Sequence, residues 1–464
     1  MEHEFDVIVV GAGPAGEVAA GRLAKRGDKH VAIVERELIG GECSFYACMP
    51  SKALLRPAEV LRETRRVPGA AEAVTGELDV KAALARRDEV TNNLDDSKHL
   101  PWLEERHIAL FRGSARLDGE RRVVVDDEVL VARDAVVLAP GSTAAVSGIP
   151  GLAEARAWTN RQITTTEEVP PRLTILGGGY VGVEMAQAWS SFGSQVTLIE
   201  VGDALLSTAE PFVGEEIGKA LEQVGVTLRL GAKATSVSRG DAGITVELEY
   251  GSSVVGDRLL VAIGRKPLIQ DLGLESVGLS GGGFIEVDDT LRVAGLPWLY
   301  AVGDVNGRSL LTHAGKYQAR IAADQILGET RARAVSDLRG TPHVVFTDPE
   351  VAAVGMTLAA AQQAGVDALA IDLQTSGSVG ASFVGRDAPG TSRFVVDIER
   401  QVLVGVTFVG SEANTFLQAA SVAVVAEVPL SRLAHVIAPF PTRSELWLQF
   451  LEAYEREAGV SLHG

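Results

Sequence analysis

The chain holds only two cysteines, Cys43 and Cys48, five positions apart in the run Gly40-Gly41-Glu42-Cys43-Ser44-Phe45-Tyr46-Ala47-Cys48-Met49-Pro50-Ser51-Lys52. A structural disulfide stabilises by closing a long loop, and so short a loop gains little. The pair is therefore read as redox or metal chemistry. A four-ligand zinc site would need two more soft ligands, and no further Cys or His lies near enough in sequence to suggest them; only a His brought in by folding would serve. No metal site is assigned.

The second set of residues with chemical meaning is a pair of glycine turns, each between a short apolar run and a helical one. Phe5 to Val10 reads as a buried strand that breaks into Gly11-Ala12-Gly13-Pro14-Ala15-Gly16. An Ala-rich helix follows to about Gly27, and a second strand from His30 ends in Glu35. Gly11 allows the tight turn, Gly13 lets backbone approach a pyrophosphate, and Gly16 permits close helix–strand packing. Glu35 then stands where a carboxylate accepts from ribose hydroxyls. The same grammar returns with Gly177, Gly179 and Gly182, and with Glu200 at the matching strand end. A carboxylate there suits a 2′-hydroxyl and repels a 2′-phosphate, so NADH is favoured and NADPH disfavoured.

The elements that position these residues fall into three blocks. Two βαβ units begin near residues 5 and 173, a strand-like run from Trp298 to Val302 ends in Gly303-Asp304, and from about Thr341 alternating strands (393–397, 402–409) with helices near 357–365 and 444–457 read as an α+β block. The length of 464 residues suits about three domains. The balance of 43 basic and 61 acidic residues, −18 net, argues against nucleic acid and anionic membranes as partners. No apolar run approaches the ~20 residues of a membrane span, and Met1 to Phe5 carries acidic residues where a signal peptide would be basic, so a soluble cytoplasmic protein is expected.

Taken together, the cysteine segment resembles the active-site stretch of the flavoprotein disulfide reductases, the class I pyridine nucleotide-disulfide oxidoreductases that include dihydrolipoamide dehydrogenase, glutathione reductase and mercuric reductase. Leu299-Tyr300-Ala301-Val302-Gly303-Asp304 is similar to their second flavin motif. Ala139-Pro140-Gly141-Ser142 and Ile263-Gly264-Arg265-Lys266-Pro267 are similar to their domain crossings, and Phe346-Thr347-Asp348-Pro349-Glu350 to the opening of their dimerisation domain. The resemblance implies an α/β fold with two Rossmann-like domains, for FAD and NAD, plus a C-terminal α+β dimerisation domain. The expected division is 1–145 and 273–336 for FAD, 146–272 for NAD and 337–464 for the interface of a homodimer.

The resemblance also implies roles. Hydride would pass from NADH through FAD to a Cys43–Cys48 disulfide and on to a small acceptor, with Cys48 the flavin-proximal thiolate and Cys43 the interchange thiol. Gly11, Gly13, Gly16, Glu35, Gly41, Gly141 and Asp304 would bind FAD; Lys52 would pair with Glu184 beside the flavin, and His313 falls in a segment near it. Gly177, Gly179, Gly182, Glu200 and Gly264 would bind NAD, with Tyr180 over the nicotinamide pocket. Two residues five apart do not face each other on an ideal helix, so bonding these sulfurs requires a distorted first turn.

One departure stands out. Disulfide-reducing members place a His–Glu dyad in a segment His-Pro-Thr-x-x-Glu, whereas this chain reads Phe440-Pro441-Thr442-Arg443-Ser444-Glu445. Glu445 remains without an imidazole to orient. His435, five residues upstream of Phe440, is a candidate substitute for the missing base, although an isolated His near a turn is more often structural. Losing a positioned acid–base group commonly costs ~10²–10⁴ in rate. The expected acceptor is therefore one whose leaving group needs no proton: a low-pKa thiol, a quinone or a metal ion. Alternatives are a quinone reductase that bypasses the cysteines, or thioether chemistry like that of 2-ketopropyl coenzyme M carboxylase, which also has Phe here but His where this chain keeps Glu445. Mercuric reductase lacks this His too, but it relies on a C-terminal cysteine pair that this chain does not have.

Overall fold

The computed structural model describes every residue except Asp28, Ser147, Leu338, Asp387 and Gly464. The described residues form two compact units, each assembled from three stretches of chain: Met1–Pro50, Ala85–Ala145 and Gly264–Leu338 in the first, and Ser51–Leu84, Val146–Ile263 and Arg339–Gly464 in the second.

The first unit is built on a parallel sheet. Strand Glu2–Val10 lies between Val31–Glu35 and Glu128–Leu138, with Ala109–Arg112 beyond the former and Leu296–Ala301 beyond the latter. The inner segments Val7–Val10 and Val31–Val34 are buried, which is why they read as continuous, largely β-branched runs rather than alternating ones. One face packs Val7, Val9 and Ile33 against the helices Pro14–Gly27 and Thr312–Ile326 through Ala19, Ala20, Leu23, Ala319 and Ala323. Small residues let those two helices approach closely.

In the second unit a four-stranded parallel sheet runs Thr227–Arg229, Gln195–Ile199, Arg172–Leu176, Arg258–Val261. A five-stranded antiparallel sheet, ordered His343–Val345, Glu350–Gly355, Val402–Gly410, Thr391–Asp397, Ala368–Gln374, carries the C-terminal residues. The fold is thus the expected mixed α/β one. A detail of contacts differs from the sequence-level division: Ser51–Leu84 associates with the second unit. Leu54 and Leu55, on the helix Cys48–Arg66, are buried in one core with Trp189, Val345 and Val409, and that shared apolar surface outweighs the sequence neighbourhood of the cysteines.

Candidate active site

The two glycine turns meet the same backbone constraints. At Gly11, φ is +99°, and a Cβ would lie 2.3 Å from the Ala139 carbonyl oxygen; at Gly177, φ is +107° and the oxygen is that of Ala262, at 2.4 Å. A Cβ on Gly16 would lie 1.9 Å from the Gly11 oxygen, and one on Gly182 the same distance from that of Gly177. At Gly13 and Gly179, by contrast, a Cβ would meet nothing within 4 Å. The first and third glycines are thus demanded by the protein itself, while the middle one faces open space. Bare backbone fronting a cradle at the start of a helix fits a dinucleotide pyrophosphate in each unit.

The strand-end carboxylates do something their spacing did not reveal. Glu35 accepts from the Ala12 and Glu37 amides, both at 2.8 Å, and Glu200 accepts from Gly178 at 2.6 Å and Gly202 at 2.7 Å. Each carboxylate ties its glycine turn to its own strand end, and retains lone pairs for ribose hydroxyls. Burial pushes the Glu35 carboxyl up, against the opposing pull of its two amides.

The cysteine segment is also glycine-shaped. Gly41, at φ +58°, comes so close to the first turn that a Cβ would lie 2.9 Å from the Gly13 Cα. A short helix Gly41–Phe45 holds Cys43, and the helix Cys48–Arg66 begins at the second cysteine. This break between two helices, where one continuous helix would have turned the sulfurs apart, lets Cys43 and Cys48 meet in hydrogen-bonding contact. They stand as thiols. Thr312 lies beside both, its hydroxyl 3.3 Å from the Cys48 sulfur. The contact with Cys48 and burial push the Cys43 thiol up, while Thr312 and the Lys316 ammonium act in the opposite sense.

Asp304 is bonded by the Ser142 hydroxyl, next to Gly141, and burial pushes its carboxyl up against that hydrogen bond. Arg265, following Gly264, donates to the Ser142 hydroxyl at 2.6 Å and lies 3.7 Å from Asp304 and 3.6 Å from Glu42. Residues from four distant parts of the sequence thus make one polar cluster, suited to the hydroxyl-rich chain of a flavin dinucleotide. His313, the second residue of Thr312–Ile326, is exposed.

Within the second unit Lys52 and Glu184, 132 residues apart, are joined at 2.8 and 3.0 Å. Glu184 is buried, and its carboxylate also accepts from the Phe346 amide at 3.0 Å, while the Lys52 ammonium sits 4.8 Å over the Phe346 ring. Tyr180 stacks on His343 with centroids 6.3 Å apart. Phe440 is 72% exposed, and Glu445 opens the helix Glu445–Ala458. His435 is exposed and lies edge-on to His463.

The family profile described as pyridine nucleotide-disulphide oxidoreductase matches residues 5–320, and that of the same family's dimerisation domain matches 341–450. The chain belongs to this family. A dihydrolipoyl dehydrogenase of Thermus scotoductus is 34% identical over 98% of both chains, and a Staphylococcus aureus mercuric reductase is 30% identical over 79% of this chain and 67% of its own. Among solved structures, the Cu(II) complex of the HOCl-induced flavoprotein disulfide reductase RclA from Escherichia coli aligns with a TM-score of 0.85 at 26% identity, covering 97% of this chain and 99% of that one. The protein is accordingly an FAD- and NAD(H)-using flavin disulfide oxidoreductase. Thr312 and Arg265 are the site residues that motif reading passed over. Arg265 stood within a quoted motif and was legible as a cation in a crossing; Thr312 gave no signal. Among the described residues no His, Cys, Asp and Glu cluster suited to a metal ion is present, and no helix is long and apolar enough to cross a membrane.

Proposed function

We propose that this enzyme passes two electrons from NADH to the Cys43–Cys48 pair and on to a small acceptor that departs without needing a proton. The observation that carries the reading is the meeting of the two sulfurs beside Thr312 in a chain whose dyad position is Phe440. Gly11, Gly13, Gly16, Glu35, Gly41, Gly141 and Asp304 hold FAD, with His313 near it; Gly177, Gly179, Gly182, Glu200 and Gly264 hold NADH, with Tyr180 as the side chain that moves aside. Bound FAD supplies the two-electron relay between nicotinamide and sulfur.

The chain's own contribution is positional. The buried Glu184 fixes the Lys52 ammonium in one orientation, as a preorganised positive charge. Two electrons and two protons convert the disulfide to two thiols. Reoxidation closes the bond again and sends two electrons to the acceptor through Cys43, the interchange thiol. Phe440 can neither take nor return a proton there, so Glu445 has no imidazole to orient. A low-pKa disulfide, a quinone or two Cu(II) ions taking one electron each meet that condition, and a solved relative is described as a Cu(II) complex.

Thiol titration after denaturation tests the electron path. NADH treatment of the oxidised FAD enzyme is expected to expose both Cys43 and Cys48, and an unchanged thiol count overturns the proposal. Steady-state quinone reduction by a Cys43→Ala variant separates the alternative, because a route that bypasses the cysteines survives the substitution. A Phe440→His variant that gains lipoamide or glutathione disulfide reduction would show that the missing base alone limits the acceptor range.

A further inference from the structure

Within the second unit, the helix Tyr180–Ser191 is fastened to the chain entering the C-terminal sheet by three contacts that follow the same order along both segments. Tyr180, Glu184 and Gln187 fall at i, i+4 and i+7, which brings them onto one face of the helix. Opposite them, the Phe346 amide donates to Glu184 at 3.0 Å, and the Gln187 side chain exchanges two hydrogen bonds with the Asp348 backbone, at 2.8 and 2.9 Å. The third contact is between side chains alone. The Tyr180 ring lies nearly parallel to that of His343, with 10° between planes and centroids 6.3 Å apart, and its hydroxyl is 3.4 Å from the His343 Nδ1. Aromatic pairs favour such an offset stack.

The three contacts are unequal. Glu184 and Gln187 are 4% and 1% exposed and are bonded to backbone, whereas Tyr180 is 39% exposed and its polar contact is long. The loosest contact is also the one beside the cradle, because Tyr180 directly follows Gly179, where a Cβ would meet open space at the helix start. His343 opens the strand His343–Val345, which pairs residue by residue with Glu350–Gly355. The imidazole is therefore carried on a fixed element, and the tyrosine ring is the partner that can swing away by turning about its own side-chain bonds.

We propose that His343 is a positioning residue, the rest against which the Tyr180 ring parks until NADH enters. The inference rests on the reading above in which Tyr180 moves aside, and it adds what holds the ring beforehand. NADH breaks the Tyr180–His343 contact as it takes its seat. A nucleotide that binds only the open arrangement has its apparent affinity lowered by the fraction of molecules already open. The stack on His343 thus keeps the ring at the mouth of the empty cradle and weakens NADH binding, without touching the hydride step.

The test is stopped-flow bleaching of the flavin. The FAD-loaded enzyme is mixed anaerobically with NADH over a range of concentrations, which yields a limiting rate and a half-saturating concentration. His343→Ala is expected to lower the half-saturating concentration about threefold with the limiting rate unchanged, the size that one weak aromatic contact allows. His343→Phe keeps a ring to stack on and should stay near wild type. In a Tyr180→Ala background the His343→Ala change should have no effect, because the two rings act as one unit. A merely structural histidine would lower Tm without this split and without any dependence on Tyr180. A half-saturating concentration in His343→Ala equal to or above that of wild type overturns the inference, as does a threefold fall that persists without the Tyr180 ring. If Tyr180→Ala alone leaves NADH saturation unchanged, the moving ring and this inference fall together while the electron path stands. Flavin that NADH cannot bleach in wild type removes the electron path itself.

Discussion

At the scale of single residues, the strand-end carboxylates have two duties at once. Glu200 clamps the amides of Gly178 and Gly202 and is proposed to bind the adenosine ribose of NADH, so the two duties respond differently to substitution. Glu200→Gln keeps an acceptor but loses the charge that strengthens each hydrogen bond. Its KM for NADH is expected to rise about tenfold, with the preference over NADPH reduced because the repulsion of a 2′-phosphate is gone. Steady-state kinetics with both nucleotides decides this, and an unchanged ratio would show that the preference comes from elsewhere. A second residue-scale pair is His99 and Glu17, where Nδ1 donates to the carboxylate at 2.8 Å. The Glu17 hydrogen bond raises the His99 pKa above its usual value. A folded-state value above the unfolded one stabilises fully below the unfolded pKa and is lost as pH rises through the folded pKa. The Tm difference between wild type and Glu17→Gln should therefore be widest in mild acid and narrow above neutrality. A difference that widened with pH would contradict the charged pair.

At the scale of elements, the glycine turns separate folding from binding. Gly182 and Gly179 lie three residues apart in one turn, yet a Cβ at the first strikes a backbone oxygen and at the second meets open space. Gly182→Ala is expected to lower Tm by about 5 °C or more. Gly179→Ala should leave Tm nearly unchanged while raising the KM for NADH about tenfold, because the methyl group occupies the cradle. Paired melting curves and kinetics check both, and a Gly179→Ala variant with wild-type KM would mean that the pyrophosphate lies elsewhere. The elements themselves were legible where a strand is buried on both faces and a glycine turn follows it. The break between Gly41–Phe45 and the helix starting at Cys48 was anticipated only as a distorted first turn, since nothing in Ser44-Phe45-Tyr46-Ala47 states a helix boundary.

At the scale of the whole molecule, the matched dimerisation domain leaves an apolar surface in the stretch before its last helix. Val436 is 69% exposed, Ile437 91% and Phe440 72%. So much apolar side chain in one short segment is what a second copy of the chain would cover in the proposed homodimer. A Val436→Asp, Ile437→Asp double variant is expected to sediment as a monomer where wild type sediments as a dimer. Equal sedimentation coefficients would place the interface on another surface.

The sequence alone determined the dinucleotide turns and the close spacing of the cysteines, and it carries the proposal of Phe440 at the dyad position, because each is written in residues close together along the chain. Tertiary structure decided the rest: that Thr312 stands beside the sulfurs, that Arg265 links Ser142, Asp304 and Glu42, and that Phe346 lends its amide to Glu184. Most of those partners come from segments more than a hundred residues apart. Their side chains carry no local pattern that marks them, since a threonine or an arginine gains its role only when folding removes water and supplies a neighbour.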